Sequence, residues 1–177
     1  MIKTIVVPTD GSDHANKAID LGADIAGKYG ARIVILHVLM HHMSATDVKI
    51  LSREIGAPAS VIAKLEELEQ SMLDATMASA TGGAPIMLPV PSDILSEVGK
   101  LITDKAVEAA KAKGASDVAV QIVDGSAAEA ILAAAETEHA DMIVMGSRGL
   151  GKFADLFMGG VSHKVSHLSS CTCVTVK

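Results

Sequence analysis

Apolar residues along the chain follow two alternating rhythms. Thr4-Ile5-Val6-Val7 is a continuous apolar run stopped by the turn residues Pro8-Thr9-Asp10-Gly11-Ser12, as in a strand covered on both faces. Ala15, Ala18, Ile19, Gly22, Ala23, Ala26 and Tyr29 then recur at helical spacing, behind Ser12 or Asp13 as N-cap and ahead of Gly30 as C-terminal stop. A second buried strand spans Ile33 to Val38. The rhythm restarts at Ser92 and Asp93 with a helix through Ile94, Val98, Leu101, Ile102, Ala106 and Ala110, closed by Gly114. Asp117 to Val123 reads as a third strand, and Ser126-Ala127-Ala128-Glu129 as a capping box opening a helix through Ile131, Leu132 and Ala135. Met142 to Met145 forms a fourth strand, followed by a glycine-rich loop, a helix from about Gly160 to Leu168 and a last strand, Cys173 to Val176. Strands alternating with helices predict one α/β domain over residues 1–177, built on a parallel, doubly wound sheet with right-handed crossovers.

The stretch from Val38 to Ser92 is longer than a strand-to-helix connection needs. It contains an expected helix from Pro58 through Val61, Ile62, Leu65, Leu68, Met72 and Leu73, then loop residues Thr81-Gly82-Gly83-Ala84-Pro85 and Pro89-Val90-Pro91. Residues 41–91 therefore read as a helical insertion after strand 2: a lid, a partner surface, or a helix packed on its own core.

Composition narrows the function. The apolar fraction of 49% fits a globular core, and aromatics at 2% require that core to be Val, Ile, Leu, Met and Ala, which lets helices lie close on a sheet. Fifteen Lys and Arg against 21 Asp and Glu give a net charge of −6, the wrong sign for a nucleic-acid backbone, and few rings are present on which bases could stack. Cys171 and Cys173 share one face of an extended strand and read as small buried hydrophobes. No segment is apolar for long enough to span a bilayer, and no signal-peptide pattern precedes the first strand, so a cytoplasmic protein is expected.

Candidate chemistry concentrates after strand 4. Gly146-Ser147-Arg148-Gly149-Leu150-Gly151-Lys152 lies at a strand's C-terminal end, where α/β folds bind ligands, and Gly159-Gly160-Val161-Ser162 opens the next helix, whose free N–H groups attract phosphate. Gly146 to Lys152 imitates a P-loop, but Phe153 stands where a metal-binding Ser or Thr is required. Arg148 and Lys152 are either cations for a phosphate or solvated loop charges. His163 and His167 lack a third ligand, and His37 with His41-His42 is an equally unspecific group; both read as surface histidines rather than metal sites. No nucleophile–base pair or carboxylate dyad shows convincing spacing, which argues against a dedicated enzyme.

Pro8-Thr9-Asp10-Gly11-Ser12, His37-Val38, Met145-Gly146-Ser147-Arg148-Gly149 and Gly159-Gly160-Val161-Ser162 together resemble the universal stress protein family, including its G-x2-G-x9-G-[S/T] nucleotide motif. The resemblance covers both ends of the chain and leaves the middle as a variable segment. It implies a five-stranded sheet in the order 3-2-1-4-5, a homodimer paired through the C-terminal strand, and ATP or AMP, with or without Mg2+, as ligand. It also implies that Asp10 and Val38 meet adenosine, that Met145, Gly146, Ser147, Arg148 and Gly149 line ribose and phosphates, and that Gly159, Gly160, Val161 and Ser162 cradle the phosphates. Gly160 departs from the pattern, since ATP-binding members carry Ser or Thr there. Losing that hydroxyl costs on the order of 1–2 kcal/mol, about tenfold in affinity. Weakened adenylate binding, loss of binding with retention of a partner-docking role, and slow ATP hydrolysis all remain open.

Overall fold

The computed structural model describes residues 1–78, 88–150 and 159–177. The loop expected at Thr81 to Pro85 and the Gly151-Lys152-Phe153 part of the glycine loop lie outside these residues. The elements are β1 (Thr4–Pro8), α1 (Asp13–Tyr29), β2 (Arg32–Val38), α2 (Ala45–Glu54), α3 (Ala59–Ala78), α4 (Ser92–Ala112), β3 (Val118–Val123), α5 (Ala127–Thr137), β4 (Met142–Gly146), α6 (Gly160–Leu168) and β5 (Thr172–Val176). They group into two compact units, Met1–Val38 with Ile102–Lys177, and Leu39–Leu101.

The first unit holds the expected five-stranded sheet in the order β3-β2-β1-β4-β5, with every pair parallel. Alternation along the strands makes two cores. Ile5, Val7, Ile33, Ile35 and Val144 point to one face, against Ala18, Ile19 and Ala23 of α1 and Ala106 and Ala110 of α4. Val6, Val34, Leu36, Ile143 and Met145 point to the other, against Ile131 and Ala135 of α5 and Val165 of α6. The alanine-rich helix faces permit close approach: a Cβ on Gly22 of α1 would stand 2.8 Å from Val7 Cγ2. Ser12 caps α1 through its hydroxyl, and Gly30 ends it in the left-handed conformation at φ 64°.

The β1–β4 ladder is short. Only Ile5↔Met142 and Val6↔Ile143 are paired, although β1 continues to Pro8 and β4 to Gly146. Beyond Val6 and Ile143 the ladder stops, at the point where strand order reverses, which is where open α/β sheets hold a ligand crevice.

The second unit contains one helix more than the sequence pattern indicates. Helix α2 is capped by the Ser44 hydroxyl and buries Val48 and Leu51, while Arg53 and Lys49 pair with Glu66 and Glu69 of α3. Lys64 of α3 pairs in turn with Glu97 of α4.

Two local expectations change. Ser126 occupies the N-cap of α5, but its hydroxyl makes no capping bond, and Glu129 is drawn instead to Lys164 of α6 at 3.0 Å. The cysteines are half-buried rather than buried; both are free thiols packed against the α5–α6 core.

Candidate functional site

The residues singled out from sequence gather at the C-terminal ends of β1 and β4. Asp10 follows β1 in a tight turn in which Gly11 takes φ 84°, a conformation that favours glycine. One Asp10 oxygen, Oδ1, accepts from the Ser12 N–H at 3.0 Å, which sets the entry to α1. The other, Oδ2, accepts from the Leu150 N–H at 2.9 Å, 140 residues further along the chain. A single carboxylate therefore spans the crevice between β1 and β4.

The glycines have defined steric reasons. A Cβ on Gly149 would collide with the end of the Asp10 side chain, so a larger residue there would displace that carboxylate from the β4 loop. A Cβ on Gly146 would lie 2.8 Å from the backbone of His14 and 2.9 Å from the carbonyl of Arg148, both of which are main chain and cannot step aside. Gly160 is different, for a Cβ there would meet nothing within 4 Å among the described residues.

The two glycine clusters are fastened to each other. The Gly159 N–H donates to the Ser147 carbonyl at 2.8 Å, and the Ser162 hydroxyl donates to that same carbonyl at 2.9 Å and to the Gly159 carbonyl at 3.0 Å. Ser147 is tied to β5 as well, its N–H donating to the Val176 carbonyl at 2.7 Å. Helix α6 starts beside this junction with Gly159 as N-cap and no capping side chain. Its first intrahelical bond, His163 N–H to the Gly159 carbonyl, leaves the N–H groups of Gly160, Val161 and Ser162 without intrahelical acceptors. Gly160 and Val161 are exposed, whereas Ser162 is buried, so its hydroxyl anchors the turn and faces inward. Arg148 is exposed on the loop. Met145 is buried under α6, and Val38 ends β2, paired with Val123. Lys152 lies outside the described residues.

Two features escaped the sequence reading. His14 Nδ1 stands 3.0 Å from Ser147 Oγ, a hydroxyl–imidazole pair with 133 residues between its members. Only the strand order, which sets β1 beside β4, brings them together. Ser147 is 2% exposed, which suits a buried hydrogen bond better than a nucleophile. The other feature corrects an expectation. His37 is not a surface histidine but is fully buried at the end of β2, with Nδ1 2.9 Å from the Thr9 carbonyl. Burial pushes its imidazole below the usual value, with the Thr9 carbonyl and the Asp10 charge opposing. His163 and His167 do lie exposed on α6, their rings nearly parallel at 8° and 6.4 Å apart. No group of three or more metal-ligating side chains occurs among the described residues, and no described helix is long and apolar enough to cross a membrane.

This geometry coincides with a match to the Universal stress protein family model over residues 1–177. The chain belongs to the universal stress protein family. A universal stress protein of Thermus aquaticus is 30% identical over 177 residues, covering 100% of both chains. Universal stress protein Rv1636 of Mycobacterium tuberculosis is 30% identical over 164 residues, 93% of this chain and 88% of its own. Among solved structures, the universal stress protein UspA of Lactobacillus plantarum superposes with a TM-score of 0.64 at 20% identity, covering 99% of this chain and 98% of its own. A universal stress protein in complex with cAMP has a TM-score of 0.59 at 22% identity, covering 99% and 96%. One from Archaeoglobus fulgidus in complex with dAMP has a TM-score of 0.59 at 16% identity, covering 100% and 98%. At these identities the structural likeness carries the fold.

Proposed function

We propose that this universal stress protein binds an adenine nucleotide, ATP or AMP, in the β1–β4 crevice and acts as a regulatory binding module. The observation that carries this reading is the Asp10–Leu150 bond, which holds the β1 turn and the β4 glycine loop together beside the open N-terminus of α6. The residues fit such a ligand. Asp10 keeps acceptor capacity for ribose hydroxyls or an adenine amine after its two backbone bonds, because a carboxylate has about four lone-pair sites. The N–H groups of Gly160 and Val161 suit phosphate oxygens, and Arg148 supplies a nearby exposed cation. Mg2+ would accompany a triphosphate. The relatives solved with cAMP and dAMP support the adenylate class.

A second reading has one observation in its favour. Gly160 offers no hydroxyl where nucleotide-binding relatives of this type are expected to have one, which suits a domain that has kept the fold for docking alone. In either case we expect a homodimer through β5, which among the described residues ends the sheet and pairs only with β4. Denaturing the purified protein and identifying any released small molecule by mass, followed by calorimetric titration with ATP and AMP, separates the two readings. No nucleotide released and no heat at millimolar ligand would overturn the first. A monomer by light scattering at roughly tens of micromolar protein would overturn the dimer.

A further inference from the structure

Of the seven histidines, His37 alone is buried. The Thr9 carbonyl can only accept, so the 2.9 Å contact requires the proton on Nδ1 and leaves Nε2 a bare lone pair. Nε2 is buried with no hydrogen-bond partner among the described residues. The neutral ring thus tolerates one unmade acceptor bond. A protonated ring would bury a charge together with an unpaired N–H, a far larger cost. It could satisfy that second N–H only by leaving for water, and the bond to Thr9 would go with it.

What hangs on that bond is the candidate site. The Thr9 carbonyl shares a rigid peptide plane with the Asp10 N–H, so holding the oxygen fixes how Asp10 leaves β1. The Thr9 N–H donates to the Leu36 carbonyl at 2.8 Å, and its hydroxyl accepts from the Gly11 N–H at 3.2 Å, so the turn is gripped on both sides. From Asp10 the chain of bonds continues to Ser12 and Leu150.

We propose that His37 is a pH-gated positioning residue for Asp10: the neutral Nδ1–H ring locks the Thr9–Asp10 peptide plane, and protonation frees it and loosens the crevice. As a statement about ligand, this rests on the adenylate reading above. Few groups compete for the assignment. In the sheet unit, α1 turns alanines, Ile19 and Gly22 to the sheet, and α4 turns Ile102, Ala106, Ala110 and the uncharged Thr103 inward. The neighbouring strand β3 sets Ile122 beside His37, and Asp10 is the charge acting on the ring.

The test uses the full chain and cAMP, whose phosphodiester keeps one charge where the phosphate of AMP titrates near about pH 6. Three proteins are compared from about pH 7.5 to 5.5: wild type, His37→Asn, which places an N–H near the Nδ1 position but does not titrate, and His37→Leu. Wild-type affinity should fall with pH, by up to about tenfold per unit for one coupled proton. His37→Asn should match wild type at high pH and give a flat profile. His37→Leu should bind several-fold more weakly at high pH and be flat as well. Equal slopes in wild type and His37→Asn, or wild-type affinity in His37→Leu, would overturn the proposal. So would a slope that vanishes with His14→Gln, because His14 is the other imidazole beside the crevice. If no adenylate binds even wild type at millimolar concentration, the adenylate reading fails by itself. The positioning role is then read without ligand, from amide exchange at Ser12 and Leu150. Protection there should drop on acidification in wild type and persist in His37→Asn; protection unchanged in wild type would overturn it.

Discussion

Replacing Gly160 by Ser tests the phosphate contact proposed for the N-terminus of α6. Among the described residues nothing lies within 4 Å of a Cβ at this position, and it opens α6 outside the left-handed region. The substitution therefore adds no strain and no clash with the described residues. Ser is better than Gly in a helix by about 0.5 kcal/mol, so the ligand-free variant should melt unchanged or up to about 1–2 °C higher. A hydroxyl donating to a phosphate oxygen is worth on the order of 1–2 kcal/mol, which is roughly five- to thirtyfold in affinity. At saturating ligand a tenfold gain adds about 1.4 kcal/mol of linked stability, or roughly 3–5 °C. Calorimetric titration with AMP, ATP and adenosine is the assay. AMP and ATP should tighten while adenosine, which has no phosphate, stays the same. Unchanged AMP and ATP affinity in a folded Gly160→Ser protein would refute the phosphate assignment of the α6 N-terminus. An equal gain from Gly160→Ala would show that helix formation, not the hydroxyl, was responsible.

Other substitutions probe the same framework. Gly146→Ala forces a methyl between the His14 backbone and the Arg148 carbonyl and should cost about 1–3 kcal/mol in chemical denaturation; an unchanged midpoint would contradict that packing. Gly149→Ala displaces the Asp10 carboxylate, whose side chain can move, so stability should fall by only about 1–2 kcal/mol while adenylate affinity drops at least tenfold. Asp10→Asn should weaken adenosine and AMP alike in titration, since the carboxylate is assigned to the nucleoside; a loss confined to AMP would reassign it. Because burial lowers the folded-state value of His37, the unfolded chain takes up the proton first as pH falls. The stability that His37 contributes is thus complete above about pH 6.5 and declines below it, toward the folded value. Denaturant midpoints at pH 7.5 and 5.5 should therefore differ less in His37→Asn than in wild type, and an equal or larger difference would reverse the sign.

The strands and the helices of the sheet unit were legible because each buried strand is a short β-branched run and each helix carries a stripe of Ala and Ile. Helix α2 was not, since it buries few large apolar residues and draws support from ion pairs with α3 that lie many residues away. The Ser126 capping box failed for a related reason: Glu129 has a tertiary partner in Lys164, and local pattern cannot see it. Asp10 and the glycines were visible as turn chemistry, yet the need for Gly149 appears only once Asp10 is seen against it. His37 looked like one polar residue in a strand end. Its burial follows from β2 lying inside the sheet between β1 and β3.

The early parting of β1 and β4 bears on association as well as on ligand binding. A cleft cut into the rim of a sheet would present a row of unpaired backbone groups to any passing strand, which invites aggregation. Here the gap lies between two interior strands and is bridged by one carboxylate, so the crevice opens without adding a sticky border. Among the described residues the sheet's borders are β3 and β5. Substitutions placed on the outer faces of those borders therefore test the proposed dimer without touching the β1–β4 crevice.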